Sequence, residues 1–255
     1  MGSSVKLNNG QKMPLLGLGC WQAPGDEVAA AVEAALLAGY RHIDTAYNYL
    51  NEDGVGRGIK AALASGKVKR SDIFVVTKLP MIGMQAGKVE KYLKKSIKAL
   101  GLDYIDLYLV HAPLGFAERS ETDPSSVTVY FQQLKMREVC KKHNIAITAY
   151  APLASPGRKV LYEKRGVKIE LPDLLNNPVV RLVAEKHNRT AAQVLLRFLV
   201  QQDIIVIPKS TNAGRIKQNG DIFNLQAGRA GHGSPAFPEP GRGWQKLHHA
   251  RIPWR

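Results

Sequence analysis

Four polar residues of this 255-residue chain sit where runs of β-favouring sequence end. Asp44 lies near the end of YRHIDT (40–45), with Tyr49 five residues on; Lys78 closes IFVVTK (73–78), and His111 closes IDLYLVH (105–111). Parallel strands wound into a barrel gather their C-terminal ends on one face, the face on which barrel enzymes build their sites. One histidine or lysine at a strand end is commonly structural. Three consecutive strands that each deliver a titratable group to the same level point to a site. A tyrosine hydroxyl titrates near ~10, so it releases a proton at neutral pH only if its anion is stabilised. A lysine within hydrogen-bond reach does that, and a carboxylate behind it keeps the lysine charged. A neutral histidine beside them would hold a carbonyl oxygen in line. The set reads as a carbonyl-protonating site, and a reduction there needs a cofactor, because no side chain supplies a hydride.

The elements that must position these groups alternate regularly. LLGLG (15–19) reads as a strand, Asp26 and Glu27 open a helix that runs through Leu37 and closes at Gly39, and YRHIDT is the second strand. A helix over Glu52–Ala64, ending near Gly66, leads to the third strand. Val89, Leu93, Ile97 and Leu100 then fall on one helical face before the fourth strand. The rhythm, at about 30 residues per unit, is that of a parallel sheet wrapped by helices. It breaks at residues 114–130, whose Ser/Thr-rich, aperiodic sequence reads as a loop. It resumes with a helix at Gln132–Lys142, the strand IAITAY (145–150), a turn at ASPGR (154–158) and an irregular stretch at 159–177. Pro178 suits the first turn of a helix to His187, Thr190 caps a helix to Val200, and IIVIPKS (204–210) is the last strand.

Bulk composition narrows the class. Hydrophobic residues at 45% and charged residues at 22% are ordinary for a folded chain. Cys20 and Cys140 are too few for a disulfide framework and lack metal-ligand spacing, so no metal is expected. No apolar run nears the ~18 residues that span a bilayer. The N-terminus has no signal-peptide core, so the cytoplasm is the expected compartment, with no membrane contact. The net charge of +15 admits a polyanion as partner, but no basic run carries the aromatic spacing of a nucleic-acid reader, so nucleic acid is not expected. Gly54, Gly56 and Gly58 have the wrong spacing for a dinucleotide-binding G-x-G-x-x-G. Residues 227–255 are rich in Gly, Pro and basic residues, without an apolar stripe; this is the composition of a disordered tail.

At these residues the chain resembles the aldo-keto reductase family. MPLLGLGCWQ (13–22), GYRHIDTAYNYLNEDGVG (39–56), FVVTKLP (74–80), LDYIDLYLVHAP (102–113), AITAYAPLASPGR (146–158) and VIPKS (206–210) are similar to its successive signatures. The resemblance implies a (β/α)8 TIM-type barrel that binds NADPH/NADP+ without a Rossmann motif and reduces a small-molecule carbonyl substrate as a monomer. By the same motifs, Asp44, Tyr49, Lys78 and His111 fall on the catalytic tetrad, with Tyr49 as general acid. Cys20 and Trp21 fall where the family meets nicotinamide and substrate, and Tyr150 where a ring stacks on nicotinamide. Pro152, Leu153 and Ser155 fall in the pyrophosphate strap, and Lys209, Ser210, Arg215 and Asn219 where the 2′-phosphate and adenine are read. Two cations and a hydroxyl after a strand suit a phosphomonoester on their own chemistry.

The departures are equally specific. Between His111 and Tyr130 the family has about two βα units, roughly 60 residues, where this chain has eighteen residues. The Ser-Asn pair and Gln that hold the carboxamide belong to the missing stretch. Ala112 replaces the tryptophan after the histidine, the acidic clamp near Gly157 is absent, and Gln218 replaces an acid. Six of eight barrel strands remain, which leaves two unpaired sheet edges. The expected organisation is one barrel domain over residues 1–226, shortened internally, with an unrelated tail. Two functions follow: NADPH-dependent carbonyl reduction, impaired by the gap, or a nucleotide-binding or interaction fragment without turnover.

Overall fold

The computed structural model describes residues 3–112, 134–164, 166 and 173–224; the gap loop and the 227–255 tail lie outside them. The chain opens with an antiparallel hairpin, β1 (Ser4–Lys6) and β2 (Lys12–Pro14). Gly10 turns it with a φ of 87°, a conformation in which glycine has no steric cost.

Parallel strands follow. β3 (Leu18–Gly19), β4 (His42–Asp44), β5 (Phe74–Leu79) and β6 (Leu107–Val110) lie side by side in chain order. Their register pairs Leu18 with Ile43, Ile43 with Val75, and Val76 with Leu107. β7 (Thr148–Ala149) pairs in parallel with β8 (Ile205–Val206). β8 returns to β3 through parallel bridges at Leu16–Val206 and Gly19–Lys209. The six strands expected from sequence are all present, in the order β7-β8-β3-β4-β5-β6. This is an α/β fold with the strand pattern of an incomplete (β/α)8 barrel.

Burial follows that order. Every residue of β4 is buried and nearly every one of β5, whereas β6 is only half-buried and Val110 is 55% exposed. Ile145, just before β7, is 56% exposed. Among the described residues no strand pairs beyond β6 or β7, so these apolar side chains lack the neighbours that would cover them.

The helices lie where local chemistry directs them. α1 (Gly25–Leu37) ends ahead of Gly39 at φ 101°, and α2 (Glu52–Ala64) ahead of Gly66 at φ 71°. α3 (Ala86–Leu100) follows β5, and α4 (Leu134–Lys142) precedes β7. The stretch 159–177, read as irregular, is corrected in part: α5 (Gly157–Lys164) is helical. Eight residues are too few for propensity to announce a helix, so tertiary packing decides. α6 (Pro178–Lys186) begins at Pro178, with Asn177 Oδ1 accepting from the Val179 and Val180 amides. α7 (Ala191–Val200) carries a capping box between Thr190 and Gln193. α8 (Ala213–Gly220) lies beyond the last strand read from the sequence, and Asn212 caps it.

The glycines unsuited to a dinucleotide loop serve packing. A Cβ on Gly54 would lie 2.3 Å from the Gly25 carbonyl oxygen, and one on Gly58 2.4 Å from that of Ala29, both in α1. A Cβ on Gly56 would lie 2.2 Å from the Leu100 carbonyl oxygen at the end of α3. The three glycines cost α2 about 1 kcal/mol each in propensity and let two neighbouring backbones approach it.

His42 sits fully buried in the core, edge-on to Phe74, against the space left by Gly17. Neither ring nitrogen has a hydrogen-bond partner of normal geometry. Burial pushes the imidazole from 6.5 down to about 4, opposed by Asp44 and the Pro14 backbone. Below 6.5 the unfolded chain therefore binds a proton that the native chain refuses. Stability should be complete above pH 6.5 and should fall as the pH drops towards 4, by about 3 kcal/mol. Urea unfolding across that range should show the loss in the native sequence and a markedly flatter profile in His42→Leu. Equal slopes would show that His42 is not the group responsible.

Candidate active site

The tetrad is assembled by register. Asp44 of β4 pairs with Val76 of β5, and Lys78 lies two residues further along β5, on the same face and one pleat step higher. The Lys78 ammonium donates to Asp44 Oδ1 at 2.5 Å, to the Thr45 carbonyl at 2.8 Å and to Tyr49 Oη at 3.4 Å. Tyr49 comes from a 3-10 turn, Tyr47–Tyr49, that ends in the left-handed Leu50. His111 follows β6, its amide donating to the Leu79 carbonyl at 3.2 Å. Its ring meets that of Tyr49 edge-on, with centroids 5.5 Å apart. All four predicted residues thus converge, and direct contacts link Asp44 to Lys78, Lys78 to Tyr49 and Tyr49 to His111.

Burial sets their electrostatics. It works against the Lys78 ammonium, but Asp44 and Tyr49 outweigh it and hold the lysine above its ordinary value. Burial also raises the Tyr49 phenol, with Lys78 pulling it back down. Tyr49 accordingly keeps its proton through neutral pH, beside a cation ready to take up its negative charge. Cys20 is buried and its amide donates to the Asp44 carbonyl at 3.0 Å. Burial and Asp44 push its thiol well above the ordinary value, so it is no nucleophile.

The residues expected to meet a cofactor follow β3, β7 and β8 in the chain, in the turns after them and in α8. Trp21 projects partly exposed from the turn after Cys20. Tyr150 lies one residue past β7. In the turn that follows, Pro152 is buried, Leu153 and Ser155 are half-buried, and Ala151, Ala154 and Ser155 have φ of 50°, 63° and 48°. Lys209 is exposed beside the Gly19 bridge. Ser210 is buried, its Oγ accepting from the Asn212 amide at 3.2 Å. Arg215 is exposed in the first turn of α8, and Asn219 is buried near its end. Two exposed cations near a helix N-terminus make a surface that favours an anion. The tetrad is joined by side-chain contacts, and Cys20 and Lys209 are tied to its strand through the Cys20 amide and the Gly19 bridge.

Three features escape the sequence. The Thr45 carbonyl that holds Lys78 is backbone, which no residue type reveals. Glu52, buried at the head of α2, accepts from Thr77 Oγ1 at 2.6 Å and so ties α2 to the strand residue preceding Lys78. Asn51, also buried, donates to the Cys20 and Ala23 carbonyls. Among the described residues no helix is long and apolar enough to cross a membrane, and no cluster of His, Cys, Asp and Glu could hold a metal ion.

A family model described as "Aldo/keto reductase family" matches the chain over residues 15–122 and 117–228. The chain is 39% identical over 261 aligned residues to 9,11-endoperoxide prostaglandin H2 reductase of Trypanosoma cruzi (strain CL Brener), covering 87% of this chain and 86% of that protein. It is 35% identical over 282 aligned residues to aldo-keto reductase family 1 member A1 of Mus musculus, covering 88% and 85%. A crystal structure of aldo/keto reductase from Brucella melitensis is similar with a TM-score of 0.73 at 35% identity, covering 88% of this chain and 93% of that one. Both sequence alignments are longer than the 255-residue chain, so each relative has residues without a counterpart here. The two family matches meet within the stretch 114–130, where the rhythm of the sequence breaks.

Because Asp44 is buried and the Lys78 side chain is only 12% exposed, removing one partner strands the other charge, at a cost of about 3–5 kcal/mol. Lys78→Met should therefore be strongly destabilised in urea. Asp44→Asn/Lys78→Met, which removes both charges, should recover a substantial part. A double variant no more stable than Lys78→Met would show that the pair is not the buried ionic contact described.

Proposed function

The chain belongs to the aldo/keto reductase family, and on that premise we propose that it reduces aldehydes or ketones to alcohols with NADPH, acting as a monomer in the cytoplasm. The relatives support carbonyl reduction in general. The observation that carries the finer reading is the Asp44–Lys78–Tyr49 chain of contacts with His111 against the tyrosine ring.

The residues present suit the cofactor: Lys209 and Arg215 offer cations to a 2′-phosphate, and the turn at 151–155 offers a constrained backbone to the pyrophosphate. Held there, NADPH would supply the hydride that a carbonyl carbon takes up on reduction. Tyr49 Oη gives its proton to the carbonyl oxygen as charge develops there. Although burial raises the phenol, an alkoxide is far more basic, so the transfer runs downhill. Lys78 stabilises the resulting phenolate, Asp44 keeps Lys78 charged, and His111 orients the carbonyl oxygen by donating a hydrogen bond. One hydride and one proton complete the alcohol, and Tyr49 recovers its proton from solvent.

The second reading, binding without turnover, is favoured by the open edge at β6. His111 follows a half-buried edge strand with no further partner among the described residues, and errors of 1 Å in a reacting geometry cost about 100-fold. We infer that turnover is well below that of relatives with eight strands. Two variants test the proposal. Tyr49→Phe should remove nearly all reduction while leaving NADPH affinity close to that of the unsubstituted chain. Lys209→Ala should weaken NADPH roughly tenfold or more, from the ~1.5–3 kcal/mol of a charge-assisted contact, and leave NADH little changed. Undiminished turnover in Tyr49→Phe would remove it as the acid; equal losses for both cofactors would remove Lys209 from the phosphate.

A further inference from the structure

Asn51 stands at the N-cap position of α2, where an asparagine side chain ordinarily accepts a hydrogen bond from the first-turn amides. Here it does not: no side-chain cap bond is made. Its carboxamide turns back across the sequence, Nδ2 donating to the Cys20 carbonyl at 2.8 Å and to the Ala23 carbonyl at 2.9 Å. The residue is 2% exposed, and Oδ1 is buried without a partner. The amide orientation is dictated by chemistry, because a flip would set Oδ1 against two carbonyl oxygens. A residue that forgoes its local role and buries an unpaired oxygen points to a long-range purpose.

That purpose lies in what the two bonds hold. The Cys20–Ala23 turn contains Gln22 at φ 58°, and Asn51 follows Leu50 at φ 55°; both are left-handed conformations without glycine, which persist only where the surroundings over-determine them. The Cys20 amide is tied to the Asp44 carbonyl, so the turn is fixed to the tetrad strand on one side and to Asn51 on the other. Cys20 and Ala23 are buried, while Trp21 between them is 39% exposed. Resting on the reading of this mouth as the carbonyl site, we propose that Asn51 is a positioning residue. Its carboxamide locks the turn that carries Trp21 to the backbone that carries Tyr49, fixing the indole as one wall for a bulky carbonyl substrate.

The test uses Trp21 as its own reporter. The chain has three tryptophans, and Trp244→Phe with Trp254→Phe leaves Trp21 alone. In that background Asn51→Ala and Asn51→Ser should each roughly double the quenching of Trp21 by acrylamide. Serine is as good an N-cap as asparagine, so a residue acting only at the helix end would be rescued by Asn51→Ser and not by Asn51→Ala. In steady-state assays both variants should raise KM about tenfold for a naphthaldehyde and less than twofold for propanal, with the pH profile of kcat unmoved. A measurement on the unsubstituted chain guards against variants that fail to fold: the Asn51 carboxamide protons, selectively 15N-labelled, should exchange slowly with solvent. Fast exchange, or an Asn51→Ser protein with native Trp21 quenching, overturns the proposal. The quenching and exchange readouts need no turnover, so an inactive parent chain would defeat the functional reading and leave the clamp to be judged on its own.

Discussion

The site depends on one buried ion pair held by strand register. Lys78 and Asp44 lie on adjacent parallel strands, one pleat step apart on the same face, and their 2.5 Å contact survives burial because each compensates the other's lost hydration. The Tyr49 phenol, the Thr45 carbonyl and the ring of His111 are arranged around that pair. A one-residue slip between β4 and β5 would turn one partner to the other side of the sheet and leave two unpaired charges. The register that builds the fold is therefore also the register that builds the chemistry.

The same dependence explains where the molecule is weak. β3, β4 and β5 have partners on both sides and deliver Asp44 and Lys78 rigidly. β6, which leads to His111, has β5 on one side and no further strand among the described residues on the other. The expected consequence is a graded one: the Asp44–Lys78–Tyr49 contacts stay intact, and His111 is held less firmly.

Much of this was legible in the sequence. The three strand ends that carry Asp44, Lys78 and His111, the helix stops at Gly39 and Gly66, the helix start at Pro178 and the cap at Thr190 are local signals, and the structure places elements where they indicate. The illegible parts are those set by tertiary contact. α5 and α8 are eight residues each, too short for their own propensity to decide, although Asn212 ahead of α8 was a usable cap signal. Asn9-Gly10 was a usable hairpin signal for β1 and β2. Asn51 could not have been read at all: its type and place spell a helix cap, and only the fold shows its amide reaching back about thirty residues.

Whether this shortened chain still assembles a working carbonyl-reducing site is read most directly by an isotopic measurement. The purified 255-residue protein would be given an aromatic aldehyde and NADPH dideuterated at nicotinamide C4, and the product examined by mass spectrometry and NMR. The expected product is a slow but enzyme-dependent yield of alcohol carrying one deuterium on the former carbonyl carbon, with the hydroxyl proton drawn from water. Saturable NADPH binding with the aldehyde recovered unreduced would contradict it.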